Sequence, residues 1–231
     1  MGKFFDVDGP FLVGLTKVAD VFILNLLLIL CSLPVFTFGA AYTAMYYVTL
    51  KMVKDEDCYT VRSFFKSFRQ NFKQATVIWL LILAVGGVLA LDLRVMNGEV
   101  QGVVVSDGVA KVMSVLLIAA ALLFILAVTY VFPVLSRFEN TTRNTLINSL
   151  LMGIRHFPKT ILIIIINVAP LVLMYLQPRA LILVLVIFGL TAYINSYFFS
   201  DIFKLYMPKE EITNDEDFKI AADEAKSDNI D

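Results

Sequence analysis

The chain has 231 residues, of which 59% are hydrophobic and 17% are charged, with a mean hydropathy of +0.80 and a formal net charge of −1. Soluble domains average roughly 45–50% apolar and about 25% charged residues, so this composition excludes an ordinary soluble domain. The excess lies in blocks without a charged residue, at 21–50, 75–91, 112–136, 161–177 and 180–200. Because a helix needs about 20 apolar residues to cross a bilayer, these blocks predict an all-α, polytopic transmembrane helical bundle.

The first block has 30 residues, and one straight helix of that length would measure about 45 Å. Pro34 and Gly39 interrupt it, and proline removes a backbone donor and disfavours a helical residue before it. We therefore predict a hairpin of two spans, at about 18–34 and 38–53, after a short interfacial segment at 1–17. The alternative is one span followed by an interfacial helix, which gives five spans and moves the N-terminus to the other side.

The stretch at 62–74, RSFFKSFRQNFKQ, has two side-chain rows at helical spacing, one aromatic and one basic. A basic amphipathic helix that runs into an apolar span is typical of the cytoplasmic face of a membrane. The basic row predicts contact with anionic lipid headgroups, and the alternative is a docking surface with aromatic anchors. The candidate residues for binding a partner or the membrane surface are Arg62, Phe64, Phe65, Lys66, Phe68, Arg69, Asn71, Phe72 and Lys73.

The remaining blocks predict spans at about 75–94, 112–135, 160–176 and 180–200, so that residues 1–205 form one membrane domain. Residues 206–231 form a cytoplasmic tail; from Pro208 it carries nine acidic residues and three lysines, a composition typical of mobile segments. The segments 47–81 and 130–166 share an order of span, polar inner helix and span, which suggests a weak internal repeat.

Basic residues are distributed unevenly between the predicted loops. With six spans, sixteen of the nineteen Lys and Arg residues fall on one side. Cytoplasmic loops carry an excess of Lys and Arg, so both chain ends are predicted to be cytoplasmic.

No pattern of catalytic, metal-ligating or nucleotide-binding residues is visible, and we expect neither enzymatic activity nor a cofactor nor a nucleic-acid partner. The sole histidine, His156, has no triad context, and we expect it to be an interfacial residue.

The predicted spans contain neutral polar residues that either hydrogen-bond between helices or line a solute pathway. These candidate intramembrane polar residues are Asn25, Thr37, Asn167 and Asn195.

An ordered set of short motifs resembles the YesL-like family of bacterial, Firmicutes-type integral membrane proteins, which contain a domain of unknown function. The set comprises Asp8-Gly9-Pro10-Phe11, Asp20, Asn25, Ser32-Leu33-Pro34-Val35, Thr37, Gly39, Ala44, Tyr46-Tyr47, Phe64-Phe65, Phe68, Asn71-Phe72, Gln74-Ala75 and Arg137-Phe138-Glu139-Asn140.

The resemblance implies a protein of the bacterial cytoplasmic membrane. It also implies a role beside carbohydrate importers of the ABC type, and it carries over no catalytic residue. We therefore expect a non-enzymatic accessory or regulatory protein whose partners are the lipid bilayer and an ABC importer subunit or another membrane protein. The alternatives are a channel or transporter for small neutral solutes, and a lipid-handling or scaffold protein.

Overall fold

The computed structural model describes residues 10–56, 59–100, 106–177 and 184–207, and in these ranges every regular element is helical. The predicted segment at 1–9, the first residues of the sixth span at 180–183 and the acidic tail from 208 lie outside the described residues. The seven α-helices are α1 (Pro10–Cys31), α2 (Phe38–Val53), α3 (Thr60–Met96), α4 (Asp107–Arg137), α5 (Thr142–Arg155), α6 (Phe157–Leu176) and α7 (Val184–Phe203).

Helices α1 and α2 form the predicted hairpin. The turn between them contains Pro34 and a short 3-10 helix at Val35–Thr37. At the other end of the pair, the Lys17 ammonium lies 2.6 Å from the Asp55 carboxylate, so the beginning of α1 and the residues after α2 lie together. Thr60, at the start of α3, donates a hydrogen bond of 2.8 Å to Asp20 of α1.

Helix α2 lies at the centre of the bundle, where it packs against α1, α3, α4 and α7. Its first two turns contain small residues, Gly39, Ala40, Ala41 and Ala44, which let neighbouring helices approach closely, and all four are buried. At 16 residues α2 is about 24 Å long, shorter than a hydrocarbon core of about 30 Å.

Five helices of the described part of the chain are long and apolar enough to cross a membrane: α1, α3, α4, α6 and α7. The predicted second span is the buried helix α2, which does not reach that length. The number of helices that meet the criterion is therefore five, where the sequence predicts six spans.

The basic stretch at 62–74 and the apolar run that follows it form one continuous helix, α3, of 37 residues. The inner helix in the second copy of the suggested repeat is separate: α5 ends at Arg155, and α6 begins at Phe157 with Pro158 in its first turn. Proline fits the first turn of a helix because the N–H it lacks would have no partner there. The two copies thus differ where the inner helix meets the span.

Large apolar side chains are exposed along α3, α4 and α6 beyond the buried core. Leu91, Val115 and Leu176 are 60%, 67% and 66% exposed, and many neighbours on these helices are similar. Water-soluble proteins rarely expose such continuous apolar surface, which is the surface expected of helices that face lipid.

Candidate functional site

The aromatic row of 62–74, which consists of Phe64, Phe68 and Phe72, faces the interior of the bundle. Phe64 is fully buried, and Phe68 and Phe72 are half-buried against the core. Their rings follow one another, with centroids 6.2 Å apart between Phe64 and Phe68 and 5.4 Å between Phe68 and Phe72. Phe65, the fourth candidate phenylalanine and not part of this row, is exposed, at 38%. Phe64 is therefore a core residue of this bundle, and the predicted docking surface loses its first aromatic anchor.

The basic row of α3, defined as Arg62, Lys66, Arg69 and Lys73, is exposed on the opposite face. It extends for about 16 Å along the helix, at 1.5 Å per residue. Within the described residues none of the four side chains forms an ion pair. The row is thus an exposed cationic surface on a helix whose other face is fixed in the core.

Two polar residues lie beside the basic row, and one of them links α3 to another part of the chain. Asn71 donates a hydrogen bond of 3.1 Å to the carbonyl of Ser67, one turn earlier in the same helix. Gln74 donates one of 2.9 Å to the carbonyl of Asn140, between α4 and α5. The second bond fixes the end of the basic row against the turn that follows α4.

The candidate intramembrane polar residues lie at separate places. Asn25 is buried between α1 and α7, where its Oδ1 accepts a hydrogen bond of 2.9 Å from the Gly189 N–H. Thr37 closes the α1–α2 turn through the carbonyl of Pro34. Asn195 is fully buried near Tyr46. Asn167 is half-buried and donates to the Ile163 carbonyl of its own helix at 2.8 Å.

Only Asn167 among these residues lines a cleft of about 320 Å³ between α2, α3, α4, α6 and α7. This volume is within the range of about 300–1,000 Å³ typical of small-molecule sites. None of the described residues that line the cleft is charged. Its lining residues are Phe38, Tyr42, Trp79, Phe124, Ile125, Val128, Thr129, Phe132, Ile164, Asn167, Val168, Pro170, Leu171, Ile187, Phe188 and Thr191.

Four aromatic rings form one wall of the cleft, and we call them the aromatic wall: Phe38, Tyr42, Trp79 and Phe132. The centroid of Phe38 lies 5.4 Å from Tyr42 and 4.7 Å from Trp79, and Phe132 lies 5.7 Å from Tyr42 and 6.2 Å from Trp79. The Trp79 Nε1–H donates to the Val35 carbonyl at 2.8 Å, which fixes the indole. The wall is therefore preformed.

The threonine and asparagine side chains of the cleft offer mainly acceptors. The hydroxyl hydrogens of Thr129 and Thr191 and one amide hydrogen of Asn167 bond to carbonyls of their own helices, at 2.8, 3.1 and 2.8 Å. Their side-chain oxygens still have lone pairs to offer. The Tyr42 hydroxyl, which also lines the cleft, lies 3.3 Å from that of Tyr46. Pro170, which also lines the cleft, lacks an N–H and therefore leaves the Ile166 carbonyl without its usual helical partner.

The sequence does not predict the cleft. Asn167 is a candidate polar residue of the fifth predicted span, but the pattern around it does not show which helices face it. The cleft combines residues separated by more than a hundred positions in the chain, and one sequence does not pair distant helices.

A second polar cluster connects the junction of α5 and α6 with the end of α7. The His156 Nε2 lies 3.1 Å from the Tyr206 hydroxyl, and the Arg155 guanidinium lies over the Tyr206 ring. Burial, and then the charges of Arg155 and Lys159, lower the pKa of His156. In the described ranges, no three His, Cys, Asp or Glu side chains are grouped so that they could hold a metal ion.

The fold and these surfaces define a helical protein with five candidate membrane spans, an exposed cationic row and an uncharged cleft between helices. Residues 21–93 match the family model described as "Protein of unknown function, DUF624". The match covers α2, half of α1, most of α3 and all of the basic row, but less than half of the chain. No curated protein and no solved structure matches the chain.

Proposed function

We propose that this protein is a non-enzymatic accessory membrane protein that presents the basic row of α3 to a partner. The observation that carries this proposal is that four exposed cations lie on a helix whose aromatic face is packed in the core, and none of them pairs with a described acidic residue. Packing of the opposite face fixes the helix backbone beneath the cations, so only their side chains have to be ordered when a partner binds. A surface of one charge selects an oppositely charged partner and accelerates the encounter with it.

We further propose that the chain is a YesL-like protein of the bacterial cytoplasmic membrane and that its partner is a subunit of an ABC-type carbohydrate importer. The support is the ordered resemblance described above. The family match at 21–93 adds only that the basic row falls within a conserved kind of domain whose function is unknown.

For the topology we propose six spans, with α2 as the second and with both chain ends in the cytoplasm. The support is the excess of Lys and Arg in the predicted inner segments. Lys54 and Arg137 also lie together at one end of the bundle, each 3.9 Å from the sulfur of Met207. Lys17 joins the same end through Asp55.

The proposal is tested by affinity purification from native membranes of cells grown on an importer-inducing sugar. We expect stoichiometric importer subunits with the wild-type chain and their loss when Arg62, Lys66, Arg69 and Lys73 are all changed to Gln. The matched control changes Arg94 and Lys111, exposed cations outside the basic row, to Gln and should retain the subunits.

Recovery of the wild-type protein without an importer subunit would contradict the proposal. Retention of the subunits by the quadruple variant, with weaker binding to anionic vesicles, would instead assign the basic row to lipid headgroups.

A further inference from the structure

We propose that the cleft between α2, α3, α4, α6 and α7 is a binding site for a neutral lipid that carries a hydroxyl group. The hydrocarbon chain would lie against the aromatic wall, and the hydroxyl would donate a hydrogen bond to the acceptor oxygens of α4 and α6. This inference is independent of the basic row and of any importer.

The size of the cleft decides between a lipid chain and a partner helix. A transmembrane helix is about 10 Å across, so a volume of about 320 Å³ would hold less than one turn of it. A single hydrocarbon chain is much thinner and fits lengthwise between the aromatic wall and α6. The cleft is therefore too small for a helix from another protein.

The chemistry of the lining decides the class of head group. Among the described residues no Lys, Arg, Asp, Glu or His lines the cleft, so a charged head group would have no counter-ion among them and its burial would have a high cost. The Thr129 and Thr191 hydroxyls have given their donors to their own helices and can only accept, whereas Asn167 keeps its Oδ1 acceptor and one amide N–H. A neutral group with an O–H donor complements these oxygens, whereas an ether or ester offers no hydrogen to them.

The packing of the walls indicates a cavity that exists before a ligand binds. Gly39 lies under the aromatic wall, where an added Cβ would be 2.7 Å from the Ala75 carbonyl oxygen and 3.0 Å from the Phe132 ring. Helix α6, on the other side, packs against α4, α5 and α7 through few residues. A tightly packed wall that faces a loosely packed helix provides a site with access from the bilayer.

The test uses the full chain in nanodiscs and a photoactivatable long-chain alcohol as the probe. We expect cross-links in peptides 124–132 and 164–171, and stronger competition by the unlabelled alcohol than by its methyl ether. Because one neutral hydrogen bond is at stake, the difference should be about fivefold. A fatty acid of the same chain length, as a carboxylate, should compete poorly.

Two pairs of variants separate a site from general lipid contact. Val168→Phe fills the cleft and should abolish the cross-links, whereas Val172→Phe, one turn later on α6 and similarly exposed, should not. Asn167→Leu should remove much of the preference for the alcohol over the ether. Asn71→Leu removes a similar bond within its own helix outside the cleft and should preserve the preference.

Equal competition by alcohol and ether, or cross-links that survive Val168→Phe while the variant retains the wild-type unfolding temperature, would overturn the proposal. Either result would identify the contacts as ordinary bilayer lipid. Loss of a co-purifying membrane protein in Val168→Phe with unchanged lipid cross-links would overturn it as well, in favour of a protein ligand.

Discussion

Gly39 shows how one residue determines the packing at the centre of the bundle. A Cβ at this position would lie 2.7 Å from a backbone oxygen of α3 and 2.7 Å from the Cβ of Trp79, neither of which can move independently of its helix. Glycine here is required by the space between α2 and α3, and not by a turn conformation. The same close approach sets the position of the aromatic wall.

We therefore expect Gly39→Ala to destabilise the protein by about 1–3 kcal/mol, the usual cost of overpacking a tight core. Gly87→Ala is the matched control, because no atom lies within 4 Å of its added Cβ. Alanine is the better helix former by about 1 kcal/mol, so the control should be neutral or stabilising. Unfolding in detergent, followed by circular dichroism, measures both. Equal stability of Gly39→Ala and the wild type would show that the two helices separate at little cost.

The sequence does not show whether a row of side chains faces the core, the lipid or a partner. The spacing of Phe64, Phe68 and Phe72 correctly places them on one helix face. Apolar rows look the same in a sequence whether they face lipid, a partner or another helix of the same chain. The structure puts the row against the core, and the basic residues are exposed because they occupy the other face.

At the scale of elements, His156 connects the α5–α6 junction to Tyr206, just beyond α7. Burial lowers the pKa of His156, and the nearby positive charges of Arg155 and Lys159 lower it further. The folded state therefore resists protonation more than the unfolded state, whose histidine has a pKa of about 6.5. Protons bind first to the unfolded form, so stability falls as pH drops through 6.5 towards the folded-state pKa.

We expect the unfolding temperature of the wild type to decrease between pH 7.5 and pH 5.5. His156→Gln keeps a polar partner for the Tyr206 hydroxyl but does not titrate, so the variant should lose this part of the decrease. Because His156 is the only histidine in the chain, no other side chain of its type contributes in this window. Identical pH profiles for the two proteins would contradict the lowered pKa of His156 in the folded state.

The elements differ in how far local sequence determines them. Pro34 correctly predicts the break between α1 and α2, because a proline acts on its own turn and needs no distant partner, whereas Gly39 lies inside α2. Helix α2 has the apolar composition of a span, but its small residues serve to bury it among four helices. The cleft requires the positions of five helices at once, and hydrophobic periodicity contains no information on which helices are neighbours.

At the scale of the whole molecule, the charge distribution and the helix contacts indicate one basic end. Lys17 pairs with Asp55, and the sulfur of Met207 lies beside both Lys54 and Arg137. The start of α1 and the residues after α7 are therefore on the same end of the bundle. A chain that begins and ends on the same side crosses a membrane an even number of times. Helices α1 and α2 supply two of these crossings if their hairpin spans the bilayer.

Single reporter cysteines test this arrangement in a chain whose two native cysteines are changed to Ser. With a membrane-impermeant maleimide on intact cells, we expect labelling at Asn97→Cys, after α3, and none at Lys204→Cys until the cells are lysed. Both positions are exposed in the structure. The reverse pattern would place the basic end outside the cell and contradict the proposed orientation.

Phe36→Cys, in the α1–α2 turn, decides whether α2 completes a span. Six spans require this turn to reach the outer surface, so the proposal expects labelling on intact cells. The turn lies beside Trp79, which precedes Asn97 by 18 residues, or about 27 Å along α3. Helix α3 must then be strongly tilted to bring both positions to one surface. Absence of labelling at Phe36→Cys, with the expected result at Asn97 and Lys204, would mean that the hairpin of α1 and α2 turns back inside the bilayer. Four helices, α3, α4, α6 and α7, would then make full crossings, with both chain ends still on the cytoplasmic side.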